Sequence, residues 1–290
     1  MVMKKQELII KKIEAFELKD IFDCGQCFRW NENANGSYTG VVKNGVLNVN
    51  CDQENIYFKG VLDCDINDFV NKYFDFERDY EQIKSTLSKV DEYMDNSIKY
   101  GKGIRILNQD LWEMIISYII SANNNIPRIK GIIERLSMKY GSKVTFEAKD
   151  YYLFPSPKQL KDVTTAEYRS LGLGFRDIRL YETTQLINEG KINLDDLYKM
   201  KTLDARDTLL QLSGVGPKVA DCILLFSDLK RFDIFPIDVW VRRVMNDLYI
   251  KNPDEKKVNN RKINEVAFEK FGDYAGIAQQ YLFYWRRTVS

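Results

Sequence analysis

Histidine is missing from this sequence altogether. Its absence removes Ser-His-Asp and Cys-His catalysis and every metal site built on imidazole. Neither sign of charge is in excess: 43 Lys and Arg stand against 42 Asp and Glu. Bulk charge therefore nominates no polyanion as a partner, and any such binding has to rest on local features. No apolar run approaches the ~20 residues that span a bilayer. The stretch from Met1 to Asp20 mixes Lys, Glu and apolar residues without the continuous core of a signal peptide. A soluble, intracellular protein with no membrane partner is expected, and nothing suggests an oligomer, so a monomer is expected.

The five cysteines, Cys24, Cys27, Cys51, Cys64 and Cys222, fit a reducing compartment. Cys24-Gly25-Gln26-Cys27 invites a zinc or redox reading. Zinc would need Cys51 and Cys64 as its second pair, at irregular spacing and without paired knuckles. A redox pair would sit between a strand and a helix N-terminus, whereas Phe28-Arg29-Trp30 reads as strand. Structural thiols are favoured, and neither a metal nor a cofactor is expected.

What the chain does have is apolar content: 44% of its 290 residues, enough for one large domain or two to three small ones. Residues 27 to 60 read as β, in the runs Cys27–Trp30, Ser37–Val42, Val46–Val49 and Ile56–Phe58. Asn35-Gly36 and Asn44-Gly45, both hairpin dipeptides, separate them. Residues 64–97 turn helical, with Ile66, Phe69, Val70, Tyr73 and Phe74 at helical spacing. From about 105, helix follows helix. Leu111, Ile115, Ile116, Ile119 and Ile120 form a wide apolar stripe, which stops at Ser121-Ala122-Asn123-Asn124-Asn125. Asn125 is suited to cap a new helix with Pro127 in its first turn. Gly172-Leu173-Gly174 is a tight turn before a helix over Ile178–Asn188. Leu203–Leu212 and Val219–Leu225 form a helix pair, and Asn264–Arg287 the C-terminal helices. There are no repeats and no low-complexity tract. The class is α+β: an antiparallel sheet domain with flanking helices over 1–98, then a mostly helical domain over 99–290.

Leu212-Ser213-Gly214-Val215-Gly216-Pro217-Lys218-Val219-Ala220 carries the most information. Two glycines bracket Val215 between amphipathic helices. Both are free to adopt backbone angles closed to other residues, and bare turn amides at a helix start bind an anion such as a DNA phosphate. A lone GxG would be only a connector; the nine-residue pattern matches a helix-hairpin-helix, spanning 203–226. Lys218 sits in the first turn of its second helix. The positive helix end and burial are expected to lower its pKa, giving a neutral amine able to form a Schiff base. On position alone, a solvated lysine touching phosphate is an equal reading. Asp238, in Phe235-Pro236-Ile237-Asp238, looks like the N-cap of a further helix, where its carboxylate stays ionised. By itself it is more often just a cap. A fixed carboxylate also stabilises the oxocarbenium-like state through which a glycosidic bond breaks.

With these residues the chain resembles the helix-hairpin-helix-Gly/Pro-Asp superfamily of DNA glycosylases, and within it the 8-oxoguanine DNA glycosylases. The resemblance covers about residues 15 to 287. It rests on Cys24-Gly25-Gln26-Cys27-Phe28-Arg29-Trp30, on Ser121 to Arg128, on Leu171-Gly172-Leu173-Gly174-Phe175-Arg176, on Leu212 to Cys222, and on Asp273 to Gln279 through Phe283. It implies a bifunctional DNA glycosylase/AP lyase that binds duplex DNA and flips out its lesion. Lys218 would attack the sugar and form the imine, with Asp238 stabilising the cation. Gly25 would offer its carbonyl to the N7–H of 8-oxoguanine, Gln279 would read the Watson–Crick edge, and Cys222 and Phe283 would sandwich the base. Asn123 would fill the vacated stack. Arg128 and Arg176 would contact an opposite cytosine, with Phe175 wedged beside it, and Gly214, Val215, Gly216 and Trp240 would lie along the DNA. Helix geometry agrees in part: Gln279 and Phe283, four apart, fall outside the face made by Ile277, Ala278, Tyr281, Leu282 and Trp285.

Two positions depart from the family's usual pattern: Phe175 stands where it has Tyr, and Trp240 where eukaryotic members have His. The four-cysteine iron–sulfur pattern of the endonuclease III relatives is missing at the C-terminus, so no cluster is implied. The alternatives are a related glycosylase for alkylated bases, against which Lys218 argues, and a non-catalytic helix-hairpin-helix DNA-binding protein.

Overall fold

The computed structural model describes residues 2–254 and 257–289. Its first layer is an antiparallel five-stranded sheet in the order β1-β5-β4-β3-β2. The strands are β1 (Lys4–Lys11), β2 (Trp30–Glu32), β3 (Tyr38–Val42), β4 (Gly45–Cys51) and β5 (Asn55–Leu62). A short helix, α1 (Leu18–Phe22), and α2 (Ile66–Tyr73) cover it. Phe16, Phe22, Trp30, Phe58 and Phe74 fill the space beneath. Next come α3 (Tyr80–Ser88) and α4 (Glu92–Tyr100), whose Ile83, Leu87, Met94 and Ile98 join the core of the helices that follow.

The helical layer begins with α5 (Leu111–Ser121) and α6 (Ile126–Tyr140), followed by a small hairpin, β6 (Lys143–Phe146) and β7 (Lys149–Tyr152). Five helices lead through the hairpin motif: α7 (Thr165–Ser170), α8 (Asp177–Asn188), α9 (Leu194–Leu197), α10 (Thr202–Leu209) and α11 (Pro217–Phe226). The last are α12 (Val239–Met245), α13 (Asn260–Phe271) and α14 (Ala275–Val289). As its sequence suggests, α6 is capped by the Asn125 side chain, which accepts from the Arg128 amide at 3.0 Å with Pro127 in the first turn. Among the described residues, no helix is long and apolar enough to cross a membrane.

The structure corrects several local expectations. Strand β2 begins only at Trp30, because Cys24 to Arg29 is a looped segment tied to the helical layer. The Lys43-Asn44 pair, not Asn44-Gly45, forms the β3–β4 turn, with Val42 opposite Gly45. Gly45 opens β4 at φ +152°, pressed so close to the Val61 carbonyl that no Cβ fits. Strand β1 pairs with β5 over its whole length, yet it is a charged edge strand without clean alternation. Its place is fixed by backbone pairing with a segment some fifty positions away rather than by its own pattern. The β6–β7 turn is Glu147-Ala148, both at positive φ, so the hairpin lacks the Asn-Gly signature.

One side chain ties the two layers together. Gln26 is fully buried; its amide nitrogen donates to the Ile21 and Arg105 carbonyls at 2.7 and 2.8 Å, and its oxygen accepts from the Leu107 amide at 2.8 Å. Its own carbonyl accepts from Gln109 Nε2 at 2.8 Å, which also donates to the Phe226 carbonyl at the end of α11. Gln26→Leu keeps the volume, strips the Arg105 carbonyl and the Leu107 amide of their Gln26 partner at ~1–3 kcal/mol each, and leaves the Ile21 carbonyl with only the weak Cys24 thiol donor. A large drop in the urea midpoint, followed by circular dichroism, is expected; an unchanged midpoint would show that Gln26 fixes nothing.

Candidate active site

Five separate parts of the chain converge on one cavity of about 60 Å³. Gly25 comes from the loop after α1, Lys218 and Cys222 from α11, Asp238 from the start of α12, and Gln279, Gln280 and Phe283 from α14; Tyr118 of α5, Phe226 and Pro236 complete the lining. That volume has room for a few waters and is smaller than a purine. Phe283 is partly buried.

Each wall has a local cause. Gly25 sits at φ +90°, and a Cβ there would lie 3.5 Å from the Phe283 ring. Its neighbour Cys24 is anchored to α14, the Cys24 carbonyl accepting from Gln280 Nε2 at 2.6 Å. The Cys24 and Cys27 thiols donate to the Ile21 and Phe22 carbonyls at 3.3 and 3.5 Å, and burial pushes Cys24 up to about 12. These are inert, structural thiols. Gln279 is 6% exposed, and its Oε1 has no hydrogen-bond partner in the protein. A buried carbonyl oxygen left unpaired is costly unless something completes it.

Asp238 is the N-cap of α12, accepting from the Val241 amide at 2.8 Å. Lys218 differs from expectation: its ammonium is held above, not below, the ordinary lysine range. The Cys222 sulfur, one helical turn on, pulls it up most. Burial pushes down, but the Asp238 carboxylate and a Lys218–Cys222 hydrogen bond push up. The sequence argument counted the helix end and burial and missed the two acceptors that folding brings to the amine. Burial in turn pushes the Cys222 thiol up.

Outside the cavity, the α10–α11 turn puts only one glycine to conformational use. Gly214 lies at φ +83°, and a Cβ on it would come within 2.7 Å of the Arg179 Cδ. Gly216, the N-cap of α11, is at φ −90°, ψ 178°, open to any residue, and a Cβ there meets nothing within 4 Å. What Gly216 provides is an uncapped, bare helix start, the arrangement that receives a phosphate. Val215 is buried between the two glycines. Val239 and Trp240 are exposed at the start of α12.

A second group lies around the α5–α6 turn. Asn123 is exposed at φ +52°, a conformation asparagine tolerates better than most. Arg128 is exposed and donates one bond to the Gly172 carbonyl at 3.2 Å. Arg176, expected beside it at an opposite base, is turned inward instead. It is 2% exposed and donates to the Ala122, Asn123 and Leu173 carbonyls at 2.5–3.2 Å. Its donors are consumed by the loop that presents Asn123. Phe175 is 53% exposed, with Arg176 and Arg179 guanidinium carbons 4.3 and 5.0 Å from its ring centre. Tyr118, Gln26, Gln280 and Arg179 escaped sequence reasoning. Tyr118 reads as one more core position of an apolar helix, and glutamines that hold backbone leave no pattern.

Comparison with known proteins agrees with this geometry. Residues 8–115 match a family model described as 8-oxoguanine DNA glycosylase, N-terminal domain, and residues 116–270 match one described as HhH-GPD superfamily base excision DNA repair protein. The N-glycosylase/DNA lyase of Saccharomyces cerevisiae is 32% identical, over 98% of this chain and 86% of that protein. A probable N-glycosylase/DNA lyase of Methanothermobacter thermautotrophicus is 34% identical, over 72% of this chain and 71% of that one. Among solved structures, the Clostridium acetobutylicum 8-oxoguanine glycosylase/lyase, in complex with double-stranded DNA containing cytosine opposite 8-oxoG, superposes with a TM-score of 0.91. It is 40% identical, with 100% of this chain and 98% of that chain covered.

The raised Lys218 ammonium makes a testable statement. Its largest upward pull comes from Cys222, so Cys222→Ala lowers the pH at which Lys218 loses its proton relative to the parent chain. An NMR titration of the lysine side chain reads this directly; coincident curves would remove Cys222 as the cause.

Proposed function

The chain belongs to the 8-oxoguanine DNA glycosylases of the HhH-GPD superfamily of base excision DNA repair proteins, and from that membership we propose a specific assignment of its residues. The protein removes 8-oxoguanine from duplex DNA, with Lys218 as nucleophile, and then cleaves the strand. The observation that carries this reading is the meeting of Lys218, Asp238, Gly25 and the unpaired Gln279 Oε1 around one small cavity.

Lys218, once neutral, attacks the sugar C1′ as the bond to the base breaks. The positive charge developing on the sugar faces the Asp238 carboxylate, which the helix cap holds in place. Stabilisation of this type is worth about 10²–10³ in rate. The resulting imine of Lys218 activates the neighbouring C–H bond for β-elimination. Gln279 Oε1 accepts from a donor on the Watson–Crick edge of the base. The Gly25 carbonyl accepts from the N7–H of 8-oxoguanine; guanine presents a lone pair there instead, leaving an unpaired group that costs ~1–3 kcal/mol. Cys222 and Phe283 flank the flipped base.

Beyond the cavity, Gly214, Val215 and Gly216 hold a backbone phosphate and Trp240 lies near the DNA. Asn123, strained and exposed, fills the gap left by the base, with Phe175 as wedge. Arg128 reads the opposite base, while Arg176 serves it at one remove by fixing the Asn123 loop. Cytosine offers acceptors to a guanidinium where adenine offers a donor. The sheet module, residues 1–98, contributes Gly25 to the site; the helical module, 99–290, contributes the rest. The protein works as a monomer.

A duplex with one 8-oxoguanine opposite cytosine, incubated with protein and borohydride, tests the assignment. The parent chain is expected to yield a covalent adduct, and Lys218→Gln to give none while still binding the duplex. Trapping by that variant assigns the chemistry to another amine. Changing the opposite base probes Arg128 separately. The parent should favour cytosine, and Arg128→Ala should lose ~1–3 kcal/mol of that preference. Equal excision opposite all four bases by the parent would count against the assignment.

A further inference from the structure

We propose that Tyr118 is the positioning residue for the Lys218 amine, its ring face holding the charged nitrogen at the cavity and its hydroxyl reserved for the flipped nucleotide. The proposal rests on Lys218 being the nucleophile. Helix α5 buries every residue from Leu111 to Ile120, and Tyr118 is the one among them that opens onto this cavity. Its ring is clamped: Phe226 lies nearly parallel at 5.9 Å and 16°, and Phe28 meets it edge-on at 5.6 Å and 71°. Lys218 Nζ stands 5.4 Å from the ring centre, within the range in which the negative face of an aromatic ring attracts an ammonium. A ring fixed on two sides thus gives the long lysine side chain a defined resting place.

The hydroxyl points to the second half of the role. It is buried and has no hydrogen-bond partner in the protein. The groups nearest it electrically are the sulfurs of Cys222, Cys27 and Cys24, which are weak partners. Burial keeps the phenol far above its ordinary range, so it stays an O–H donor at any working pH. A phenylalanine would fill the same space without the unpaired group. On this proposal the hydroxyl donates to an acceptor on the flipped nucleotide that enters the cavity.

Other charged and titratable groups also face the amine, so the ring effect has to be read against them. Cys222 comes from α11 and Asp238 from the start of α12. Helix α14 presents the neutral amides of Gln279 and Gln280, with Arg287 5.9 Å from the Phe283 ring centre. An ammonium released from the ring gives up its proton more easily. Weakening the ring face therefore moves the acid limb of the reaction to lower pH.

The experiment measures single-turnover base release and borohydride trapping across pH on a duplex with 8-oxoguanine opposite cytosine. In Tyr118→Phe the acid limb is expected to stay in place while lesion binding weakens about tenfold. In Tyr118→Leu the limb is expected to move down by about one pH unit. Because leucine leaves a gap between Phe28 and Phe226, a series of increasingly fluorinated phenylalanines at 118 keeps the shape while draining the ring face, and should move the limb down stepwise. A limb fixed at one pH through that series overturns the role of the ring. A Tyr118→Phe variant that binds the lesion as tightly as the parent overturns the role of the hydroxyl. A parent chain that forms no adduct at any pH would instead overturn the reading of Lys218 itself.

Discussion

The Gln26 side chain uses both amide hydrogens and its oxygen on backbone groups from α1 and from the segment entering α5, and its carbonyl is taken by Gln109. That set of bonds holds the Cys24–Cys27 loop of the sheet layer against the helices that line the cavity. Gly25, the residue beside it, is at positive φ with only its carbonyl to offer, and a carbonyl recognises a base only if its position is fixed. Gln280 fixes the same loop from the opposite side by donating to the Cys24 carbonyl. Gln109 extends the tie to the Phe226 carbonyl, so the loop and the end of the helix bearing Lys218 share one buried network. Such networks are rigid when every member is paired, and on the proposed reading a backbone carbonyl can tell a purine from its oxidised form only if it is held that rigidly.

Much of this was legible in the sequence where a residue type has one strong local meaning. Asn125 with Pro127 marked a helix start, Asp238 a cap, and Gly214 a turn at positive φ, and all three stand as read. Most of the misreadings turn on a partner or a backbone angle that the local pattern does not show. Strand β1 exists because β5 pairs with it. The β6–β7 turn adopts positive φ at Glu147 and Ala148, residues that do not announce it. The direction of the Lys218 shift depends first on Cys222, one turn on along α11 and turned toward the amine, and then on Asp238, twenty positions on. The cavity itself was predictable only as a list of residues, not as a volume of about 60 Å³.

Near-neutral composition turns out to be compatible with DNA binding because the cations are placed rather than abundant. Arg128, Arg176 and Arg179 stand close enough that the first and last both help to lower the Arg176 pKa, after burial. Arg176 spends its donors on the loop of Asn123, so its charge is local and its job structural. Arg179 runs its stem against Gly214 and brings its guanidinium to the Phe175 ring. The glycine of the hairpin thus serves two needs, the backbone angle and the passage of an arginine linking the hairpin to the exposed phenylalanine.

Buried polar atoms without a partner among the described residues occur in several parts of the core, at Ser117, Ser137 and Tyr281 among them, and the cavity holds two more. Two of its buried polar atoms, Gln279 Oε1 and the Tyr118 hydroxyl, have no partner in the protein, at a cost on the order of 1–3 kcal/mol each. Natural sequences tolerate such defects chiefly at functional sites. On the proposed assignment, a base that presents matching groups recovers that cost on entering, whereas a base that does not leaves the atoms unpaired. Selectivity would then begin before any bond breaks, in the completion of a partly bonded cavity by the base that fits it.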